Sequence, residues 1–331
     1  MNLAINGFGR IGRQAFKVAI LKKGIKIVAI NDLTDTKTLA HLLKYDTAYG
    51  HYDLPVSFDE KNLIVKGQKI PVLAEKDPTQ LPWAKMKVDV VLECTGRFTK
   101  KEDAEMHIKA GAKKVILSAP AKGGGVPTYV RGVNCAKVGK EAAKVINNAS
   151  CTTNCIAPVM AVLQETFGIE KAFMSTVHGY TADQNLQDGP HKDLRRARAA
   201  AENIVPTTTG AAKAVGEAMP TVQGIFDGLA FRVPVPTCSL SDITAVLKKK
   251  VTKEEINKAL IEASKTERFA GILTTTVEEL VSSDFVGNTH SSIIDLGLTN
   301  VVGGNLVKVV AWYDNEAGYA NRLVEMAELY A

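Results

Sequence analysis

The sequence predicts a two-part α/β chain: a Rossmann-type parallel-sheet domain at 1–150 and an α+β catalytic domain with a largely antiparallel sheet at 151–315. A closing helix at 316–331 is expected to return to the first domain. Three observations carry this. The first 32 residues read as strand, glycine-rich turn, helix and second strand. Apolar runs then alternate with helical stretches as far as Asn147. After Gly168 strand patterns follow one another with fewer helices between them.

Leu3-Ala4-Ile5-Asn6 reads as a buried strand, and Gly7-Phe8-Gly9-Arg10-Ile11-Gly12 follows it. A helix over 10–23 and a strand over 26–30 lead to Asn31-Asp32. G-x-G-x-x-G in this setting is a dinucleotide fingerprint. Gly7, Gly9 and Gly12 permit a tight turn and let a pyrophosphate approach the helix N-terminus. Asp32, at the second strand's end, can accept from ribose hydroxyls and would repel a ribose phosphate, so NAD is expected over NADP.

A helix over 35–44, a hairpin over 62–73 turning at Lys66-Gly67, a strand over 88–92, a helix over 100–110 and a strand over 114–117 come next. Two of these strands run into Thr95-Gly96 and Ser118-Ala119-Pro120. A cofactor lies beyond such carboxyl edges in a parallel sheet, although alone Thr95-Gly96 reads as a plain turn. No helix with Lys-Ser or Lys-Thr follows Gly123-Gly124-Gly125, so that loop is not a phosphate loop.

The stretch Asn147 to Cys155 comes next. Val145-Ile146 ends a strand, and the apolar-periodic segment 156–167 reads as a helix with Ser150 as N-cap and Gly168 as its stop. Cys151 then sits in a first helical turn, where free N–H groups and the dipole favour a thiolate. The Ser150 and Thr152 hydroxyls can meet an anionic substrate there. Cys155, one turn on, reads as packing, as do Cys94, Cys135 and Cys238.

Beyond Gly168, a strand over 171–180 carries His178. Residues 181–206 read as irregular, and loops of that length are usually functional or packed against partners. A helix over 209–218, strands over 230–235, 243–248, 291–296 and 307–313, and a helix over 315–329 complete the chain. Thr252-Lys253-Glu254-Glu255 is a capping box for one further helix, running to about residue 265.

Composition narrows the class. Hydrophobic residues at 46% and charged residues at 23% suit a soluble globular enzyme. A net charge of +6 suits anionic ligands but is no basic footprint, so nucleic acid is not expected as the main partner. Five cysteines, odd in number and without close-set metal pairs, argue for a reducing compartment rather than a disulfide framework, and no metal is expected. With no signal-peptide pattern and no membrane-length apolar run, the expected location is cytoplasmic, with no membrane partner.

The segments 2–13, 149–155, 177–181, 206–213 and 312–316 together closely resemble the phosphorylating glyceraldehyde-3-phosphate dehydrogenases, end to end. The resemblance implies Cys151 as nucleophile and His178 as the base that activates it. It implies anion seats at Ser150, Thr152, Thr181, Arg196, Thr209, Gly210 and Arg232 for glyceraldehyde 3-phosphate and inorganic phosphate. It implies cofactor contacts at Arg10, Ile11, Asp32, Lys76, Ser118 and Asn315, with Tyr319 beside the nicotinamide. It also implies a homotetramer. Three departures stand out: Ala182 where a polar residue is usual, a glycine-rich loop at 122–125, and Lys76 where some members carry Arg. A sister dehydrogenase for erythrose 4-phosphate and an added RNA-binding role through the cofactor cleft are the alternatives.

Overall fold

The computed structural model describes residues 1–138 and 143–331. The chain divides into two compact units, one gathering 1–129, 136–149 and 320–331, the other 130–135 and 150–319.

The first unit runs β1 (Asn2–Asn6), α1 (Arg10–Ala19), β2 (Lys26–Asn31), α2 (Thr36–Lys44), β3 (Tyr45–Asp46), β4 (Gly50–His51), β5 (Val56–Phe58), β6 (Asn62–Val65), β7 (Gln68–Leu73), α3 (Trp83–Met86), β8 (Val90–Glu93), α4 (Lys101–Lys109), β9 (Lys114–Leu117) and β10 (Val145–Asn147). Its main sheet is ordered β10-β9-β8-β1-β2-β7-β6-β5. The pairings from β10 to β7 are parallel, and β7-β6-β5 form an antiparallel edge. Leu3, Ile5, Ile30, Leu92 and Ile116 are fully buried in it, as strands covered on both faces require. The β6–β7 turn holds Lys66 at φ 51° and Gly67 at φ 79°, the paired left-handed residues of a two-residue hairpin.

Helix α1 stops at Ala19, short of the expected residue 23. The N–H groups of Leu21 and Lys22 bond three residues back, to Val18 and Ala19, and tighten the chain into a turn before Gly24 at φ 89°.

The second unit runs α5 (Cys151–Thr166), β11 (Ile169–Gly179), β12 (Val205–Thr208), α6 (Ala211–Ala218), β13 (Phe226–Val233), β14 (Ser239–Leu247), α7 (Lys253–Ser264), β15 (Leu273–Thr276), β16 (Ser292–Asp295), β17 (Asn300–Val302) and β18 (Leu306–Tyr313). Its sheet is ordered β12-β13-β11-β14-β18-β16-β15, with β17 beside β18. Most pairings are antiparallel; β11–β13 and β15–β16 are parallel. β12 begins in the stretch read as irregular, and β15 and the three-residue β17 were also unforeseen. Val-Pro-Thr-Thr and Leu-Thr-Thr-Thr carry too few apolar positions to show a period of two. Helix α6 begins at Ala211, two residues later than expected, because Thr209 Oγ1 accepts from Ala211 N–H outside the helix. The closing helix α8 (Ala317–Tyr330) belongs to the first unit from Ala320 onward. Among the described residues, no helix is long and apolar enough to cross a membrane.

Candidate active site

Ser150 is the N-cap of α5: its Oγ accepts from Thr153 N–H at 3.0 Å. The preceding Ala149 takes a left-handed φ of 53°, and its N–H donates to Asn147 Oδ1 at 3.0 Å. That turn delivers Cys151 as the first residue of α5, partly exposed, with Cys155 fully buried one turn on.

The second sheet supplies the partners. In β11, Met174, Thr176 and His178 alternate inward while Phe173 and Val177 face outward. The parallel register of β11 on β13 sets His178 against Arg232. His178 Nε2 lies 3.5 Å from Cys151 Sγ. On the ring's other side, Nδ1 lies 2.6 Å from Gly179 O and 2.5 Å from Arg232 Nη1. A guanidinium only donates and a carbonyl only accepts, so these neighbours select opposite tautomers. A base needs a bare Nε2, with its Nδ1–H on Gly179 O. Arg232 favours the other form. Beneath the pair, Tyr313 OH bridges Thr152 Oγ1 at 2.9 Å and Thr176 Oγ1 at 2.8 Å. Sequence reading assigned Tyr313 no role, and its only signal was the 312–316 segment.

Electrostatics run against one expectation. Burial pushes the Cys151 thiol above its ordinary value, while Arg232 and hydrogen bonds at the helix start pull less strongly downward. Burial, and then the Arg232 charge, hold the His178 imidazole down at about 3. Both directions favour thiol and neutral imidazole, against the thiolate that the helix terminus alone suggests. Alkylation of Cys151 by iodoacetamide should climb with pH beyond the range of an ordinary thiol, because a raised pKa keeps thiolate scarce near neutrality. Since Arg232 lowers the thiol pKa, Arg232→Ala should slow alkylation at pH 8. A rate that levels off below pH 7 in the wild type would contradict this.

The expected anion residues group less tightly. Arg196 Nε donates to Thr207 Oγ1 at 2.9 Å, and its Nη1 pairs with Asp183. Its Nη2 reaches Thr208 O, next to Thr209 and the Gly210 N-cap of α6. Arg196 and Asp183 both bias the charge on Arg232. Thr181 is tied by its backbone N–H to Gln184 Oε1. Asp183 and Thr207 were given no role in the sequence reading; Thr207's signal was its place in the 206–213 segment, and nothing marks Asp183.

The first unit holds most of the residues expected to contact the dinucleotide. A Cβ on Gly12 would lie 2.1 Å from Gly7 O, and one on Gly7, at φ 92°, would lie 2.7 Å from Thr95 N. Gly9 has open space at its Cβ position and is the N-cap of α1, with no side-chain cap. An open, uncapped helix start fits a pyrophosphate. Asp32 Oδ2 accepts from Phe8 N–H at 2.7 Å, which fixes the carboxylate beside the glycine turn. The Arg10 guanidinium is held by Asp46 at 2.7 Å, so its backbone N–H, with that of Ile11, is what the helix start offers. Gly96 turns at φ 69°, Ser118 N–H bonds Glu93 O, and Lys76 is exposed. Asn315 and Tyr319 lie in the second unit, both buried, with Asn315 Oδ1 accepting from Ser239 Oγ at 2.9 Å. Among the described residues no cluster of three or more His, Cys, Asp or Glu is placed to hold a metal ion.

Comparison with known proteins covers both units. A family described as glyceraldehyde 3-phosphate dehydrogenase, NAD binding domain, matches residues 1–101, and its C-terminal domain counterpart matches 150–315. A glyceraldehyde-3-phosphate dehydrogenase of Geobacillus stearothermophilus is 55% identical over 331 residues, covering 100% of this chain and 98% of that protein. Relatives of the same name from Priestia megaterium, at 53% over 100% of this chain and 98% of the relative, and Borreliella burgdorferi, at 54% over 99% of each, are similar throughout.

Proposed function

The chain belongs to the glyceraldehyde-3-phosphate dehydrogenase family, and on that premise we propose that it converts glyceraldehyde 3-phosphate to 1,3-bisphosphoglycerate through a cysteine thioester. It is an NAD-dependent oxidoreductase of glycolysis. The observation that carries the mechanism is Cys151 Sγ at a helix start, 3.5 Å from His178 Nε2.

The chemistry follows from that geometry. Sγ attacks the aldehyde carbon as Nε2 takes the thiol proton, giving a thiohemiacetal. Backbone N–H at Cys151 and the new imidazolium stabilise the oxyanion. NAD, when bound, accepts the hydride. The imidazolium returns its proton to the oxyanion, His178 takes it back as the hydride leaves, and a thioester remains on Cys151. Inorganic phosphate then attacks the thioester carbon, the thiolate leaves, and an acyl phosphate forms. Ser150, Thr152, Thr181, Arg196, Thr209, Gly210 and Arg232 seat the two anions, whose charge suits guanidinium groups, hydroxyls and a helix start.

Homotetramer formation belongs to the same proposal. Phe173, Val177 and Leu229 share the outward face of the sheet and are 37–47% exposed, an apolar surface that suits a second subunit. Sedimentation at the monomer mass would remove this part.

The deciding assay is NAD reduction with glyceraldehyde 3-phosphate, run with and without phosphate and repeated with NADP. NAD should be preferred because Asp32 repels a ribose phosphate. Asp32→Ala should narrow the preference by about tenfold, roughly the 1.4 kcal/mol of one charge contact. Equal use of both coenzymes by the wild type would refute the role given to Asp32.

A further inference from the structure

In the first unit, one buried carboxylate sits at the centre of a net that joins the loops following β1, β2, β7 and β8. Glu93 is 2% exposed. Its Oε1 accepts from the Thr95 N–H at 2.8 Å and the Thr95 hydroxyl at 2.5 Å. Its Oε2 accepts from Asn6 Nδ2 at 2.5 Å and lies 3.0 Å from His107 Nε2. Four donors match the four lone-pair sites of a carboxylate.

Trp83 settles the histidine's tautomer. Its indole N–H, which can only donate, sits 3.0 Å from His107 Nδ1. Nδ1 therefore accepts, and Nε2 carries the proton toward Glu93. The net continues from Asn6, whose Oδ1 accepts from Asn31 Nδ2 at 2.7 Å. Asn31 then bonds both the carbonyl and the N–H of Glu75, each at 2.9 Å. Each arm ends beside an expected coenzyme residue: Thr95 and Gly96, Gly7 after Asn6, Asp32 after Asn31, and Lys76 after Glu75.

We propose that Glu93, held by His107, is a positioning residue that sets the spacing of the four NAD-contacting loops. This rests on the NAD reading above. A buried acid is costly unless every lone pair is used, and an apolar side chain would fill the same volume more cheaply. Two of the four donors come from Thr95, in the loop itself, and a third carries the tie onward to the β2 and β7 loops.

The test uses the intact enzyme, with NAD affinity by calorimetry, KM and kcat with NAD varied, and Cys151 alkylation as a readout of the second unit. His107→Leu removes the N–H given to Glu93. It should weaken NAD binding about tenfold, raise KM in parallel and leave kcat at saturating NAD within about twofold. Alkylation should be unchanged. His107→Gln, whose amide N–H can replace Nε2, should recover most of the affinity. Trp83→Phe removes the indole N–H while keeping an aromatic ring in the core, and should weaken NAD about two- to threefold, which keeps the question open to test if His107→Leu does not fold. Unchanged NAD affinity in folded variants would overturn the proposal, as would a loss confined to kcat. A wild type that binds no NAD in the same titration would instead sink the NAD reading.

Discussion

Cys151→Ser should stop turnover, by about a thousandfold or more, while NAD still binds with wild-type affinity. A serine hydroxyl in the same turn of α5 stays protonated, because an alcohol gives up its proton to the same imidazole far less readily than a thiol does. A thiol is closer to ionisation and intrinsically more nucleophilic. Cys155→Ala is the control. Its sulfur is fully buried against Ser292 Oγ and Ala311 O, 4.0 and 3.9 Å away, so the change leaves a small cavity and no chemical gap. Stopped-flow NADH formation on both variants decides the matter. Equal losses at the two positions would remove Cys151 as the nucleophile.

Without inorganic phosphate, about one NAD per active site should be reduced before the reaction stalls, and arsenate should restore turnover. Covalent catalysis with a blocked second step gives that burst. Sustained turnover in phosphate-free buffer would mean that water opens the thioester. Arg232→Ala should weaken use of glyceraldehyde 3-phosphate by about tenfold or more, from the loss of charge-assisted hydrogen bonds worth roughly 1.5–3 kcal/mol. Unphosphorylated glyceraldehyde should suffer less. It should still suffer, because the same guanidinium touches His178 Nδ1 and Gly179 O. Equal losses on the two aldehydes would confine Arg232 to ordering the histidine.

Local rules made the first unit legible. Strand, glycine turn, helix and acid each have a short-range signature, and the Ser150 cap sits where its side chain demands. The second unit yielded its long strands but not β12 or β15, whose threonines give no alternation, nor β17, which is only three residues long. The contact between Cys151 and His178 is set by tertiary folding, with 26 residues between them in the chain. Only the resemblance joined them in advance. The upward pull on the Cys151 thiol was missed because helix-end stabilisation is visible in a sequence, whereas the packing around the sulfur is not. The Glu93 net was invisible for a similar reason. Asn6, Asn31, Glu93 and His107 are ordinary polar letters until the sheet brings them together.

The division of the chain bears on how it is made. The first unit includes residues 320–331, and Leu323, Val324, Ala327 and Tyr330 among them are fully buried. A ribosome reaches these side chains only after it has built the whole of 150–319. The dinucleotide unit therefore waits, with part of its core missing, while the second unit is synthesised. Stalled nascent chains ending near residue 319 should leave that unit open to protease, and chains extended past Tyr330 and clear of the exit tunnel should protect it. Equal protection at both lengths would mean that the unit closes without its final helix.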